Sequence, residues 1–293
     1  MKKIAFSIVI FIIVILLLFF FNIMWKSPPH YKVNNSVKLE EPIMDMKTYE
    51  TIWQTHRRPY IFSVKSKQGG EVHVLGVEHV GDPNHPQCET IRNVWYEKKP
   101  TVALVEGKLG FLFTWIQNPI EKYGEGGLTS SLAKNDDVDI YSWEPTRNDE
   151  IELLKQKYPV EKIALFYSFR PYFSNMRHGK PSNPEEKLQE YLDDRTDYNY
   201  IRDIYSSWEE LDSIWSNDFP ELAWRDYSDE IGWPEGYLFD IANDSNLARD
   251  EHLIQTIVEL VRNGEIVFAT VGSSHAPRIE KSLKFAIEQQ FIQ

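Results

Sequence analysis

Four apolar runs in this chain stop at a histidine or a carboxylate, and that repetition constrains the fold more than any other feature. Residues 72–75 lead into Gly76-Val-Glu-His79, and residues 101–105 end at Glu106. Residues 138–143 end at Glu144, and residues 266–271 lead into Gly272-Ser-Ser-His275. The runs are short, continuous and rich in β-branched side chains, which suits strands buried on both faces. A helix-like stretch over residues 88–98 separates the first strand from the second, the spacing of a βαβ unit. In open sheets of this kind ligands bind outside the carboxyl ends of the strands. His79, Glu106, Glu144 and His275 therefore converge on one edge if the sheet is mostly parallel. The expected fold is α/β, a mostly parallel or mixed central sheet flanked by helices.

The rest of the chain adds four expectations. Lys2 and Lys3 precede an apolar run from Ile4 to Trp25, broken only by Ser7 and Asn22. A run of ~20 apolar residues is enough to span a bilayer, and no small-x-small cleavage site follows it. Residues 1–26 are thus expected to be a transmembrane helix that anchors the chain in a membrane, the alternative being a cleaved signal peptide. The charge bias would leave the N-terminus cytoplasmic and the domain extracytoplasmic. Residues 27–48, with Pro28-Pro29 and Asn34-Asn35, read as a linker. Residues 49–293 read as the α/β domain, opened by a hairpin around Gln68-Gly69-Gly70. A helical insertion is expected at about residues 147–243. Within it, residues 190–240 hold fifteen Asp or Glu, three Arg and no Lys, with many Tyr and Trp. Such rings either line a lid or, as the favoured reading, glue small helices together while the acids face water.

Composition narrows the function. A net charge of −12 argues against nucleic acid as the partner. The single Cys88 excludes an internal disulfide and any multi-cysteine metal centre. No histidine is followed by glutamate, so the His-Glu-x-x-His helix is absent. No histidine follows His275, so Gly272-Ser-Ser-His-Ala276 does not serve as a hydrolase nucleophile elbow. What is left is a set of imidazoles and carboxylates, His79, Glu106, Glu144 and His275. Those donors suit a divalent ion such as Mn, Zn, Co or Fe, with Glu106 as ligand or general base and His275 beside it. A helix is expected over residues 247–263, capped by Asp244 or Ser245. Arg249 lies in its first turn, where a cation opposes the helix dipole and needs a reason to be there.

Read together, Gly76-Val-Glu-His79-Val, Lys99-Pro-Thr-Val-Ala-Leu-Val-Glu106, Ala248-Arg-Asp-Glu-His-Leu253 and Val271-Gly-Ser-Ser-His-Ala-Pro-Arg-Ile279 form an ordered series. It resembles the TraB/PrgY–TIKI family of the erythromycin-esterase/ChaN-like superfamily, over about residues 60–110 and 244–285. The resemblance implies a site at the sheet's edge and, for TIKI-like members, a metal-dependent peptidase acting on a peptide or small-molecule substrate. It also implies that His79, Glu106 and His275 form the metal or catalytic set, with Arg249 neutralising charge beside them. Other members of the superfamily imply the alternative, a protein that captures a signalling peptide or haem without turnover.

Overall fold

The structure, a computed structural model, describes residues 2–20, 23–67, 69–107, 109–229 and 232–289. The chain divides into two compact units, Met1–Glu144 with Asp250–Gln293, and Pro145–Arg249. Along the chain, α1 (Lys2–Phe20), β1 (Met24–Trp25) and α2 (Met46–Glu50) precede the hairpin strands β2 (Tyr60–Lys65) and β3 (Glu71–Val77). Next come α3 (Pro86–Lys98), β4 (Val102–Val105), β5 (Leu112–Phe113), α4 (Pro119–Asn135) and β6 (Asp139–Ser142). The second unit holds α5 (Arg147–Leu154), α6 (Val160–Asn175), α7 (Pro184–Arg195) and α8 (Trp208–Asp218). The long α9 (Tyr237–Arg262) begins in the second unit and ends in the first, followed by β7 (Ile266–Gly272) and α10 (His275–Gln289).

In the first unit a five-stranded sheet has the order β2-β3-β7-β4-β6. β2 pairs antiparallel with β3, while β3, β7, β4 and β6 run parallel. The four strand ends picked out by the sequence therefore lie along one edge. Alternation sets the layers, because successive strand residues point to opposite faces. Val267, Ala269 and Val271 of β7 pack with Leu253, Ile257, Val261, Ile279 and Leu283 of α9 and α10. Phe268, one residue out of phase, packs on the other face with Ile91, Trp95, Leu128 and Leu132 of α3 and α4. Its ring meets Trp95 edge to face at 5.1 Å, and Trp95 Nε1 donates to Asp136 Oδ2 at 2.6 Å. Helices on both faces explain why these strands read as unbroken apolar runs.

The N-terminal expectation is overturned. α1 spans Lys2–Phe20 of the described residues, and Met24 and Trp25 form a strand paired with Phe113 and Leu112 of β5. Among the described residues no helix is long and apolar enough to cross a membrane. A transmembrane anchor at residues 1–26, with the N-terminus cytoplasmic and the domain extracytoplasmic, is therefore not supported. Met1, Phe21 and Asn22 of the expected span, and Gln68 of the expected turn, lie outside the described residues. Beyond Trp25 the chain runs bonded along the first unit. Tyr31 N donates to Ser142 O at 2.9 Å, and the backbones of Asn34 and Asn35 donate to Glu259 at 2.8 and 3.0 Å. Val37 exchanges two hydrogen bonds with Gln255, each 2.7 Å.

The second unit is built on aromatic packing. Phe169 and Phe173, one turn apart on α6, stack at 5.3 Å and both meet Trp215 of α8. Trp224, Tyr227, Leu238 and Ile241 close the same core. Asp193, Asp194, Asp197, Asp203, Glu209 and Glu210 are exposed. The rings thus join short helices while those acids face solvent. α9 starts at Tyr237, ten residues before the expected start at Leu247. Asp244 pairs with Lys157 and Tyr158, and Ser245 donates to Glu150, so both candidate caps serve as packing partners inside the helix.

Candidate functional site

Each parallel strand of the first unit delivers one polar side chain to the carboxyl edge of the sheet. The chain leaves β3 through Val77 and Glu78 to His79, whose Nδ1 is 2.6 Å from Glu125 Oε1. Glu125 comes from α4, which breaks at Tyr123 and Gly124 (φ +54°) and restarts with Glu125. Glycine is needed there for two reasons. The left-handed backbone favours it, and a Cβ would stand 3.3 Å from Val80 O, beside the loop that carries His79. The restarted helix thus sets a buried carboxylate in its own first turn, a favourable place for negative charge.

β7 runs into Gly272, and after two serines His275 is the first residue of α10. Its ring is buried and held on two sides. Nδ1 lies 2.5 Å from Asp250 Oδ1, and Trp143 packs edge to face at 5.2 Å. Trp143 is fixed in turn by its Nε1 donating to Thr270 O at 3.2 Å. Behind Asp250 stands Arg278, with Nη1 at 3.1 Å from Oδ2. Neither atom makes a hydrogen bond there, so this contact is an ion pair by distance with off-axis geometry. Arg278 Nε donates to Met44 O at 2.9 Å.

Glu106 follows β4, the strand beside β7 in the sheet. Its Oε2 accepts from Gly272 N–H at 2.7 Å, and its Oε1 lies 3.9 Å from His275 Nε2. The three side chains meet over Gly272. A Cβ built there would stand 3.2 Å from Glu106 Oε2, 3.4 Å from His275 Cδ2 and 3.4 Å from His79 Nε2. The missing side chain leaves a hollow edged by two imidazoles and a carboxylate. Side-chain exposure rises from 5% at His275 to 19% at Glu106 and 48% at His79, so the hollow opens to solvent on the His79 side.

Glu144 follows β6, the neighbour of β4 in the sheet, and its Oε2 stands 3.6 Å from the Cβ position of Gly107, the residue after Glu106. Its carbonyl oxygen faces His30 Nδ1 at 2.9 Å. Arg249 belongs to the second unit. There it is buried, donates to Asn246 Oδ1 at 3.2 Å, and with Arg147 and Arg170 surrounds Glu150 with positive charge. Sequence reasoning missed Glu125, Asp250 and Arg278 as members of the site. Asp250 did leave a signal, since it lies three and four residues before Leu253 and Ile254, on the apolar stripe of its helix. Glu125, set among glycines, left none.

No family model, curated protein or solved structure matches the chain. The site therefore has to be read from its own chemistry. Two imidazoles and a carboxylate are the donor types of a borderline divalent ion. Ligands of a four-coordinate ion with ~2.1 Å bonds stand about 3.4 Å apart, and the Glu106–His275 pair at 3.9 Å is near that spacing. Among the described residues no three His, Cys, Asp or Glu side chains already close around one ion position. The residues fit such an ion in type, and one pair fits in spacing.

Proposed function

We propose that the first unit is a metal-dependent hydrolase acting on a peptide or ester. The observation that carries this reading is the meeting of His79, Glu106 and His275 over the side-chain-free Gly272. His79 and His275 would hold the ion, with Glu106 as ligand or general base and Glu144, which follows the neighbouring strand β6, as a further ligand or support. A divalent ion bound there supplies Lewis acidity toward a carbonyl and lowers the pKa of water. The chain's own residues do the rest. Glu106 Oε2 is anchored by the Gly272 amide, so Oε1 is the oxygen turned toward His275 and suited to accept a proton from water. Trp143 and the buried Asp250–Arg278 pair keep His275 dry and oriented. The open His79 side admits substrate. The resemblance of the four motifs to the TraB/PrgY–TIKI family supports the same reading.

The test is a panel of peptides and esters offered to the full chain with Mn, Zn, Co or Fe(II). The expected result is multiple turnover that is abolished by chelation, restored by one ion, and lost in both His79→Ala and His275→Ala. Turnover unchanged in both variants would overturn the proposal, as would stoichiometric capture of substrate with no hydrolysis under any ion.

A further inference from the structure

We infer that Glu125 and Asp250 are positioning residues that fix His79 and His275 in one tautomer, with Nδ1 protonated and Nε2 unprotonated. The inference rests on the hydrolytic reading for its purpose, though not for its test. A carboxylate accepts hydrogen bonds and donates none, so a ring nitrogen bonded to it must carry the proton. Nδ1 of His79 is 2.6 Å from Glu125 Oε1 and Nδ1 of His275 is 2.5 Å from Asp250 Oδ1. In each neutral ring the lone pair then falls on Nε2. For His79 that atom borders the hollow over Gly272, and for His275 it faces Glu106 Oε1. Both rings are thus prepared alike to offer a lone pair to a cation.

The two clamps are built independently. Asp250 reaches its ring from α9 and is backed by Arg278, with both side chains fully buried. Glu125 reaches His79 across 46 residues of sequence from the restarted half of α4. Its side chain is only 7% exposed although its partner is 48% exposed. A carboxylate taken out of water to meet a half-exposed imidazole is costly unless the contact is used. Carboxylates behind ligating histidines fix ring orientation and tautomer, and losing one costs about 10–100-fold in ion affinity.

Isosteric amides separate this role from mere packing. In Glu125→Gln the new amide can donate to Nδ1, which moves the ring proton to Nε2 and removes the lone pair from the hollow. The measurement pairs zinc titration of the full chain with ring ¹⁵N spectra of the ion-free protein labelled at histidine, for wild type, Glu125→Gln and Asp250→Asn. Wild type is expected to show protonated Nδ1 at His79 and His275. Glu125→Gln is expected to change the His79 ring alone and to weaken zinc by about 10–100-fold. Asp250→Asn is expected to change His275 alone, and because it strands a buried Arg278, the Glu125 variant carries the test if that protein does not fold. Nε2-protonated rings in wild type would overturn the inference, as would Glu125→Gln with wild-type spectra and wild-type affinity. If wild type binds none of Mn, Zn, Co or Fe(II) but shows the expected tautomers, the hydrolytic reading fails while the positioning stands.

Discussion

Gly272→Ala probes the hollow with the smallest possible change. Gly272 is absent from the positive-φ glycines, so alanine meets no backbone penalty there. The amide that holds Glu106 is kept. The added methyl would stand 3.2 Å from Glu106 Oε2, which must give by a few tenths of an ångström, and 3.4 Å from His275 Cδ2 and His79 Nε2, at the edge of ordinary contact. All three are side-chain ends rather than backbone, so the overpacking cost should sit near the low end of the usual range, about 1–2 kcal/mol. In a domain of this size that lowers the melting temperature by roughly 2–8 °C. The effect on an ion is far larger, because the methyl takes up the space the three donors share. A fall in zinc affinity of about 100-fold or more is expected, roughly 2.7 kcal/mol. Calorimetric titration and thermal unfolding on one preparation read both numbers. Wild-type ion affinity in Gly272→Ala would refute the idea that these side chains converge on a ligand position.

Further outcomes follow from the buried charges and the aromatic core. Burial pushes the Glu150 carboxyl up, but Arg147, Arg170, Arg249 and the Ser245 hydroxyl outweigh it and hold it below its ordinary 4.5. A depressed folded-state value stabilises above the unfolded value and is lost as pH falls, so wild-type stability should drop below about pH 4.5. Glu150→Gln should lose about 3 kcal/mol at pH 7 and show a flatter acid limb in urea unfolding; an equally steep limb contradicts this. Burial also pushes the His73 imidazole below its ordinary 6.5, against the pull of Glu71. The neutral ring is therefore preferred in the folded state, and its stabilisation is lost as pH falls from 6.5 through the folded-state value. An NMR titration should give a midpoint under 6.5, and one at or above it would refute the assignment. Phe169→Ala, which removes a ring stacked on Phe173 and tilted against Trp215, should cost about 3–5 kcal/mol; a loss under ~1 kcal/mol in denaturant unfolding would show that this core repacks freely.

What the sequence made legible was local. The strands ending at His79, Glu106, Glu144 and His275 were readable because burial on both faces leaves unbroken apolar runs, and their parallel pairing carries those ends to one edge. Contacts far apart in sequence were not readable. The pairing of Met24 with Phe113 cuts short an apolar run that looked like a single span. The break at Gly124 hid a helix in a glycine-rich stretch, and with it the carboxylate behind His79. Asp244 and Ser245 have the side chains of helix caps, yet the same oxygens serve equally well as partners for Lys157, Tyr158 and Glu150. Arg249 illustrates the same ambiguity: a cation that needed a counter-charge has Glu150 within its own unit.

The most direct test of the central claim is the ion content of the full chain, purified without chelators or a histidine tag, for wild type beside His275→Ala. A near-stoichiometric divalent ion in wild type that is lost in the variant is the predicted result. No ion in either protein, even after incubation with excess Mn, Zn, Co or Fe(II), would contradict it.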